Sequence, residues 1–206
     1  GAVMAEDIEA AVDHVDFSVQ VWKQIHEDQK KYFEDQEIVG WFFSQPRISM
    51  EVTEILEKVE SGEKTGKTIA FFYVTSNGLI QVRQSTDYIP KLIELAGGRY
   101  IFENLEDSGS GRSTLNMQVE DFYAGAKDAD ILIYNSSIDG GVTTVDELIG
   151  KCNILKDFKA IQEGQVYCTT NDMYQQSMAI GYLLQDMHTV LTDDDTAKLR
   201  YLFLLQ

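Results

Sequence analysis

The amino-acid sequence predicts an α/β protein: a three-layer α/β/α lobe with a mostly parallel central sheet, preceded by a helical segment. Three observations carry this. Apolar residues in the first part of the chain recur at steps of three and four, the spacing of a helix face. From Lys67 the pattern changes to short apolar runs rich in β-branched and aromatic residues, the composition of buried strands. Those runs then alternate with amphipathic stretches, the order that puts parallel strands between helical layers. Asn116–Ser137, NMQVEDFYAGAKDADILIYNSS, shows the alternation in one stretch. Val119, Phe122, Ala126 and Ala129 share a helical face, Ile131–Tyr134 is a continuous apolar run, and Asn135, Ser136 and Ser137 follow as a polar loop.

Residues 1–65 read as helical, and the stretch 5–60 as helical throughout. Ile8, Ala11, Val12, Val15, Val19, Trp22, Ile25 and Phe33 form one stripe. Gly40 and Pro46 interrupt it around Trp41, Phe42 and Phe43. Ile48, Val52, Ile55 and Val59 form a second stripe, closed by Ser61 and Gly62. Such stripes pack cores.

Residues 66–206 read as the α/β lobe. Thr68–Val74, TIAFFYV, is its opening strand, Thr75-Ser76-Asn77-Gly78 a turn, and Leu79, Ile80 and Val82 a short second strand. Ser85 or Thr86 caps a helix over Asp87–Ala96, which Gly97-Gly98 ends. Glu103–Ser113 is a polar Gly/Ser loop. Thr143 or Thr144 starts a short helix to Ile149. Phe158–Gly164 is rich in turn residues and leads to a strand over Gln165–Thr169. Ser177–Leu191 is an amphipathic helix. Asp193, Asp194 and Asp195 precede a last helix, with Leu199, Leu202 and Leu205 at helical spacing.

Composition narrows the partners. The 206 residues carry a net charge of −17, spread along the chain. Neutralising phosphates requires clustered Lys and Arg, so no nucleic-acid partner is expected. No apolar run approaches the roughly 18 residues of a spanning helix. The start, GAVMAEDIEA, has no basic region before an apolar stretch, so no leader is read there. Cys152 and Cys168 are too few for a disulfide scaffold, and the sequence leaves their pairing open. His14, His26 and His188 are far apart, so no metal site and no cofactor are expected.

No catalytic set stands out. Gly62–Thr68, GEKTGKT, has three residues between its glycines where a phosphate loop needs four, and it runs helix–loop–strand instead of strand–loop–helix. There is no GxSxG, and paired carboxylates say little in so acidic a chain. The expectation is a protein that is not an enzyme. What remains is a polar rim behind the strands: Thr75, Ser76 and Asn77; Asn135, Ser136 and Ser137; Thr169, Thr170 and Asn171. Tyr73, Tyr134, Tyr174 and Gln175 lie beside them. In open α/β sheets ligands bind just beyond the carboxyl ends of the strands, and hydroxyls, amides and aromatic faces suit a ligand held by hydrogen bonds and stacking. For each residue alone, ordinary capping and turn chemistry explains the same pattern. Arg83, after the second strand, either meets an anionic group or pairs with a surface acid.

These marks together resemble the C-terminal lobe of cluster-A (class III) solute-binding proteins, the extracytoplasmic receptors of ABC importers for iron-siderophores, haem, cobalamin and metals. The resemblance runs from Lys67 to Leu191. It rests on TIAFFYV with its Ser-Asn-Gly turn, on STDYIPKLIELAGGRYIF, on VEDFYAGAKDADILIYNSS, and on FKAIQEGQVYCTT, which is similar to the family's segment before its final helix. It implies two α/β lobes joined by a long rigid helix, with the solute in the cleft between them. Residues 1–65 would hold the linking helix. The chain would then be a fragment or a natural half-protein, lacking an N-terminal lobe. The resemblance also implies an acidic residue that docks on arginines of the membrane permease, and Glu120 fits by position, with Asp121 beside it. The implied ligand-binding residues are Thr75, Ser76, Asn77, Arg83, Tyr134, Asn135, Ser136, Ser137, Tyr174 and Gln175. The implied partners are an ABC permease and a small solute, a metal chelate or tetrapyrrole. The location would be extracytoplasmic, as a periplasmic protein or cell-surface lipoprotein. The alternative is a standalone, non-catalytic interaction module that keeps the fold without the solute.

Overall fold

The computed structural model describes residues 9–10, 15–16, 23, 27, 30–31, 50–62, 64–105, 112–136, 141–171, 173, 180–193 and 198–206. They fall into two units, Gly1–Met50 and Glu51–Gln206. In the first unit, β1 (Glu9–Ala10) pairs antiparallel with β2 (Val15–Asp16), Ala10 opposite Val15. These residues are extended where the sequence predicts helix. Over so few residues apolar spacing does not separate the two states, and pairing decides. Lys23, Glu27, Lys30 and Lys31 are helical and exposed, the polar steps of the expected face. The other stripe residues before Met50 lie outside the described residues.

The second unit begins with α1 (Met50–Ser61), whose Ile55 and Val59 are buried. The apolar run TIAFFYV forms β3 (Thr68–Val74), and β4 (Ile80–Arg83) follows after a turn. Next come α2 (Tyr88–Leu95), β5 (Arg99–Tyr100), β6 (Thr114–Met117), α3 (Val119–Ala126) and β7 (Ile131–Tyr134). The chain continues through α4 (Val145–Lys151), a 3-10 turn (Asn153–Asp157), α5 (Lys159–Gln162), β8 (Val166–Thr169), α6 (Ile180–Thr192) and β9 (Leu202–Leu204). The helix starts follow capping chemistry. Asp87 caps α2 through Ile89 N–H at 3.0 Å, one residue beyond the predicted Ser85 or Thr86. Thr144 caps α4 through Glu147 N–H at 3.2 Å.

Seven strands form one sheet, six of them in the order β6-β4-β3-β7-β8-β9 and β5 off this path, paired with β3. β3, β7 and β8 are parallel, and β5 runs parallel to β3 at Thr68–Ile69. β4, β6 and β9 are antiparallel additions. Alternation along β3 divides the core. Ile69 and Phe71 face α1, α2 and α6 with Ile93, Met187 and Val190. Ala70, Phe72 and Val74 face α3, α4 and α5 with Phe122, Leu148 and Phe158. The expected three layers are present.

Three elements differ from the sequence reading. Leu199, Leu202 and Leu205 do not continue a helix: Leu202–Leu204 is β9 on the free edge of β8. The cause is Asp186 of α6, buried, whose Oδ2 accepts from the N–H groups of Arg200 (2.9 Å), Tyr201 (2.6 Å) and Leu202 (3.1 Å). Burial raises its pKa, against the pull of those three donors. Thr114–Met117, which lies between the predicted loop ending at Ser113 and the helix of the stretch beginning at Asn116, with no strand expected there, is β6, because the open edge of β4 accepts it. Lys159–Gln162, inside the segment read as turn, makes one turn of helix, α5.

The amino ends of β3 and β7 are pinned by Asp130. Its Oδ2 accepts from Thr68 N–H at 2.7 Å and Thr68 Oγ1 at 2.8 Å, and its Oδ1 lies 2.5 Å from Lys159 Nζ. Burial works against ionisation here, but the Lys159 ammonium and the Thr68 donors outweigh it and hold the pKa at about 2. A carboxylate whose folded pKa lies below its unfolded value stabilises the fold above the unfolded value, and that stability drains away as pH falls through the folded value. The wild type should therefore lose stability as pH drops from about 4 towards 2. Asp130→Asn should cost about 1–2 kcal/mol at neutral pH and should lack this part of the acid dependence, read from urea unfolding at a series of pH values. An unchanged acid profile in the variant would remove Asp130 from this role.

Candidate functional site

Because β3, β7 and β8 are parallel, their carboxyl ends meet at one end of the sheet. The described residues that follow them directly are 75–79, 135–136 and 170–171. The five-residue loop after β3 is held by Thr75. Thr75 N–H donates to Leu79 O at 2.9 Å, and Thr75 Oγ1 lies 2.6 Å from Asn77 Oδ1 and 2.8 Å from Leu79 O, its one proton shared between them. Gly78 closes the turn at φ +80°, a conformation that disfavours any side chain. Ser76 and Asn77 are exposed at its tip.

The loop after β7 is built differently. Asn135 N–H extends the ladder to Phe72 O at 2.8 Å. Ser136 N–H donates to Thr169 Oγ1 at 2.9 Å, and Ser136 Oγ donates to Thr169 O. Asn135 and Ser136 are 2% and 1% exposed. Gly141 packs so closely on Ser136 that an added Cβ would sit 3.1 Å from the serine Cβ. Tyr134 is wholly buried, 5.6 Å from Phe72 and 6.1 Å from Tyr73 between ring centres, with Lys151 Nζ 5.9 Å from its own ring centre. Asn171 Oδ1 lies 3.5 Å from Ser136 Oγ, at the limit of a hydrogen bond.

Of the residues singled out in the sequence, Thr75, Ser76, Asn77, Tyr134, Asn135 and Ser136 thus share one end of the sheet. Ser76 and Asn77 face solvent, Thr75 is half-buried, and the other three are inside. Ser137, Tyr174 and Gln175 lie outside the described residues. Arg83 is elsewhere. Antiparallel β4 carries it back along β3, since Val82 lies opposite Phe72. Its guanidinium is 3.6 Å from Asp87 and 5.8 Å from the Phe71 ring centre, and its backbone N–H and C=O are both bonded by Tyr100 OH. Of the two readings of Arg83, the geometry matches the acid pair, although that pair is largely buried.

Glu120 is exposed in the first turn of α3. Met117, two residues before α3 starts, lies opposite Ile80, and Ile80 lies opposite Val74. α3 therefore starts at the carboxyl end of the parallel strands, the same end as the polar rim. Two further rim residues were missed. Arg200 and Tyr182 stack there, with the guanidinium carbon 3.8 Å from the ring centre. The signal available was Asp186, an acid on the apolar face of Leu183, Met187 and Val190, which requires backbone donors. An open depression of about 650 Å³ lies at the opposite end, lined by Lys64, Lys91, Arg99, Gly97 and Gly98. None of the expected rim residues lines it, and the ligand-edge argument favours the carboxyl end.

No protein-family model and no curated protein matches the chain. Solved structures do. An ABC transporter substrate-binding protein from Listeria monocytogenes EGD-e superposes with TM-score 0.56 at 19% identity, over 86% of this chain and 66% of that one. S. aureus IsdE complexed with heme gives 0.53 at 14%, over 84% and 65%. A possible iron-binding periplasmic solute-binding protein from Staphylococcus epidermidis ATCC 12228 gives 0.53 at 16%, over 70% and 52%. At such identities the likeness is one of fold, and the fold is the one the resemblance implies. The chain spans about half to two-thirds the length of these structures.

The Ser136–Thr169 lock should be structural. Thr169→Val keeps the shape but leaves Ser136 N–H buried without its acceptor, and should cost about 1–3 kcal/mol in urea unfolding. A variant as stable as the wild type would show that the lock contributes nothing.

Proposed function

We propose that this chain is one lobe of a two-lobed solute-binding receptor of an ABC importer. It supplies one wall of a cleft that captures an iron chelate, haem, cobalamin or similar solute, and it presents that solute to the permease. The observation that supports this most is the gathering of an uncharged hydroxyl and amide rim at one end of a parallel sheet, in the fold of such receptors. Thr75, Ser76 and Asn77 contribute side chains near the surface, and Tyr134, Asn135 and Ser136 form the floor beneath. Ser137, Tyr174 and Gln175, which follow β7 and β8 in the sequence, complete the proposed ligand-binding set. The receptor works outside the cytoplasm, as a periplasmic protein or cell-surface lipoprotein. Glu120, exposed at the same end, docks on arginines of the permease by charge-assisted hydrogen bonds. Transport energy comes from the permease complex; this chain binds and delivers.

The full-length protein should bind at least one member of a panel of ferric siderophores, haem and cobalamin in calorimetry. Silence across the panel would favour the second reading, a non-catalytic interaction module. That reading draws on the burial of Tyr134, Asn135 and Ser136, which here close the sheet. In cells, Glu120→Ala should lower uptake several-fold while leaving solute affinity unchanged. Equal uptake by variant and wild type would end the docking assignment.

A further inference from the structure

We propose that Asn77, at the tip of the loop after β3, is a site of spontaneous deamidation, converted to aspartate and isoaspartate through a cyclic imide with Gly78 and activated by the Thr75 hydroxyl. The modification does not depend on the receptor reading above.

The sequence narrows the site first. Ring closure joins the asparagine side-chain carbon to the backbone nitrogen of the next residue, so a side chain on that residue obstructs it. Asn77 alone is followed by glycine; Asn104, Asn116, Asn135, Asn153 and Asn171 precede Leu, Met, Ser, Ile and Asp. The fold narrows it again. Asn135, whose following residue is the smallest of these five, is buried, and the Ser136 nitrogen it would need donates to Thr169 Oγ1 at 2.9 Å. Asn77 and Gly78 are exposed, and nothing lies within 4 Å of where a Cβ would stand on Gly78.

The loop supplies the activation. Residues 76–78 form a three-residue hairpin loop that ends on Gly78 at φ +80°. Thr75 is fixed across its base, with N–H and Oγ1 both on Leu79 O. Its hydroxyl also lies 2.6 Å from Asn77 Oδ1. Donation to that oxygen makes Asn77 Cγ more electrophilic and meets the negative charge that develops on Oδ1 as the ring closes. One bond opposes the attack, from Gly78 N–H to Thr75 O at 2.9 Å. It is exposed, so water replaces it at small net cost.

Gly78 N, its proton taken by hydroxide, bonds to Asn77 Cγ. The Cγ–Nδ2 bond then breaks, and Nδ2 leaves as ammonia with a proton from water. A second water opens the imide at either carbonyl. Breaking the new Cγ–N bond gives aspartate; breaking the original peptide bond gives isoaspartate. The net reaction is hydrolysis of one amide, with no change of oxidation state. Both products add one negative charge, and isoaspartate adds a methylene to the main chain inside the turn. On the receptor reading, the neutral tip of the cleft wall becomes acidic with age.

The test incubates the full chain at neutral and mildly alkaline pH at body temperature. Peptide mapping by mass spectrometry follows each asparagine, and isoaspartate is identified by electron-transfer fragmentation. Conversion should concentrate at Asn77, rise with pH and give both products. Thr75→Val should slow it several-fold, and Thr75→Ser, which keeps the hydroxyl, should hold the wild-type rate. Circular dichroism and thermal unfolding check that the variants keep the fold. An Asn77 that stays intact in the folded chain while converting in guanidinium chloride would overturn the site. Aspartate without isoaspartate would overturn the imide route, and undiminished conversion in Thr75→Val would overturn the activation. None of these outcomes bears on solute binding, so the receptor reading stands or falls by its own experiment.

Discussion

Everything at the rim depends on the register of three parallel strands, which is pinned at both ends. At the amino end, Asp130 ties Thr68 of β3 to the start of β7 and reaches Lys159 of α5. At the carboxyl end, Ser136 and Thr169 bond to each other through backbone and side chain together. Shifting a strand by one residue turns all its side chains to the other face. In a sheet buried on both faces that would exchange Phe72 for Phe71 against different helices, so both pins act on the packing of two cores at once.

The carboxyl-end pin changes how the polar rim is understood. Asparagine, serine and threonine after a strand end have two uses: to satisfy backbone groups where the ladder stops, or to meet a ligand. Here the work is divided by loop. Directly after β7, Asn135 and Ser136 lie inside and serve closure. The loop after β3 turns outward and exposes Ser76 and Asn77. Among the described residues, the surface of this end is shaped by the loop after β3 and by the Arg200–Tyr182 stack, while Tyr134, Asn135 and Ser136 lie buried beneath.

A buried carboxylate decides the far edge. Asp186 interrupts the apolar face of α6, and its desolvation is offset by three backbone donors from one short segment. Those bonds fix the bend at residues 200–201 and deliver Leu202–Leu204 to β8. One acid thereby converts a stretch with helical spacing into a strand and brings Arg200 to the rim.

The sequence by itself determined the strands β3, β4, β7 and β8 and the helices that alternate with them, the end of α2 at Gly97–Gly98, the start of α4 at one of two threonines, and the end of the sheet where polar loops gather. Periodicity and capping are local, so they can be read without coordinates. Only the tertiary structure decided β6 and β9, whose existence depends on open edges of β4 and β8 far away in the chain. The same holds for Arg83, which the sequence placed next to a strand end but which an antiparallel partner carries back along β3 to Asp87. It holds also for the split between buried and exposed rim residues, because Ser136 turns inward only when Thr169 stands beside it. Local patterns record what a residue tends to do; which polar group is left for a ligand depends on which others have already bonded across the fold.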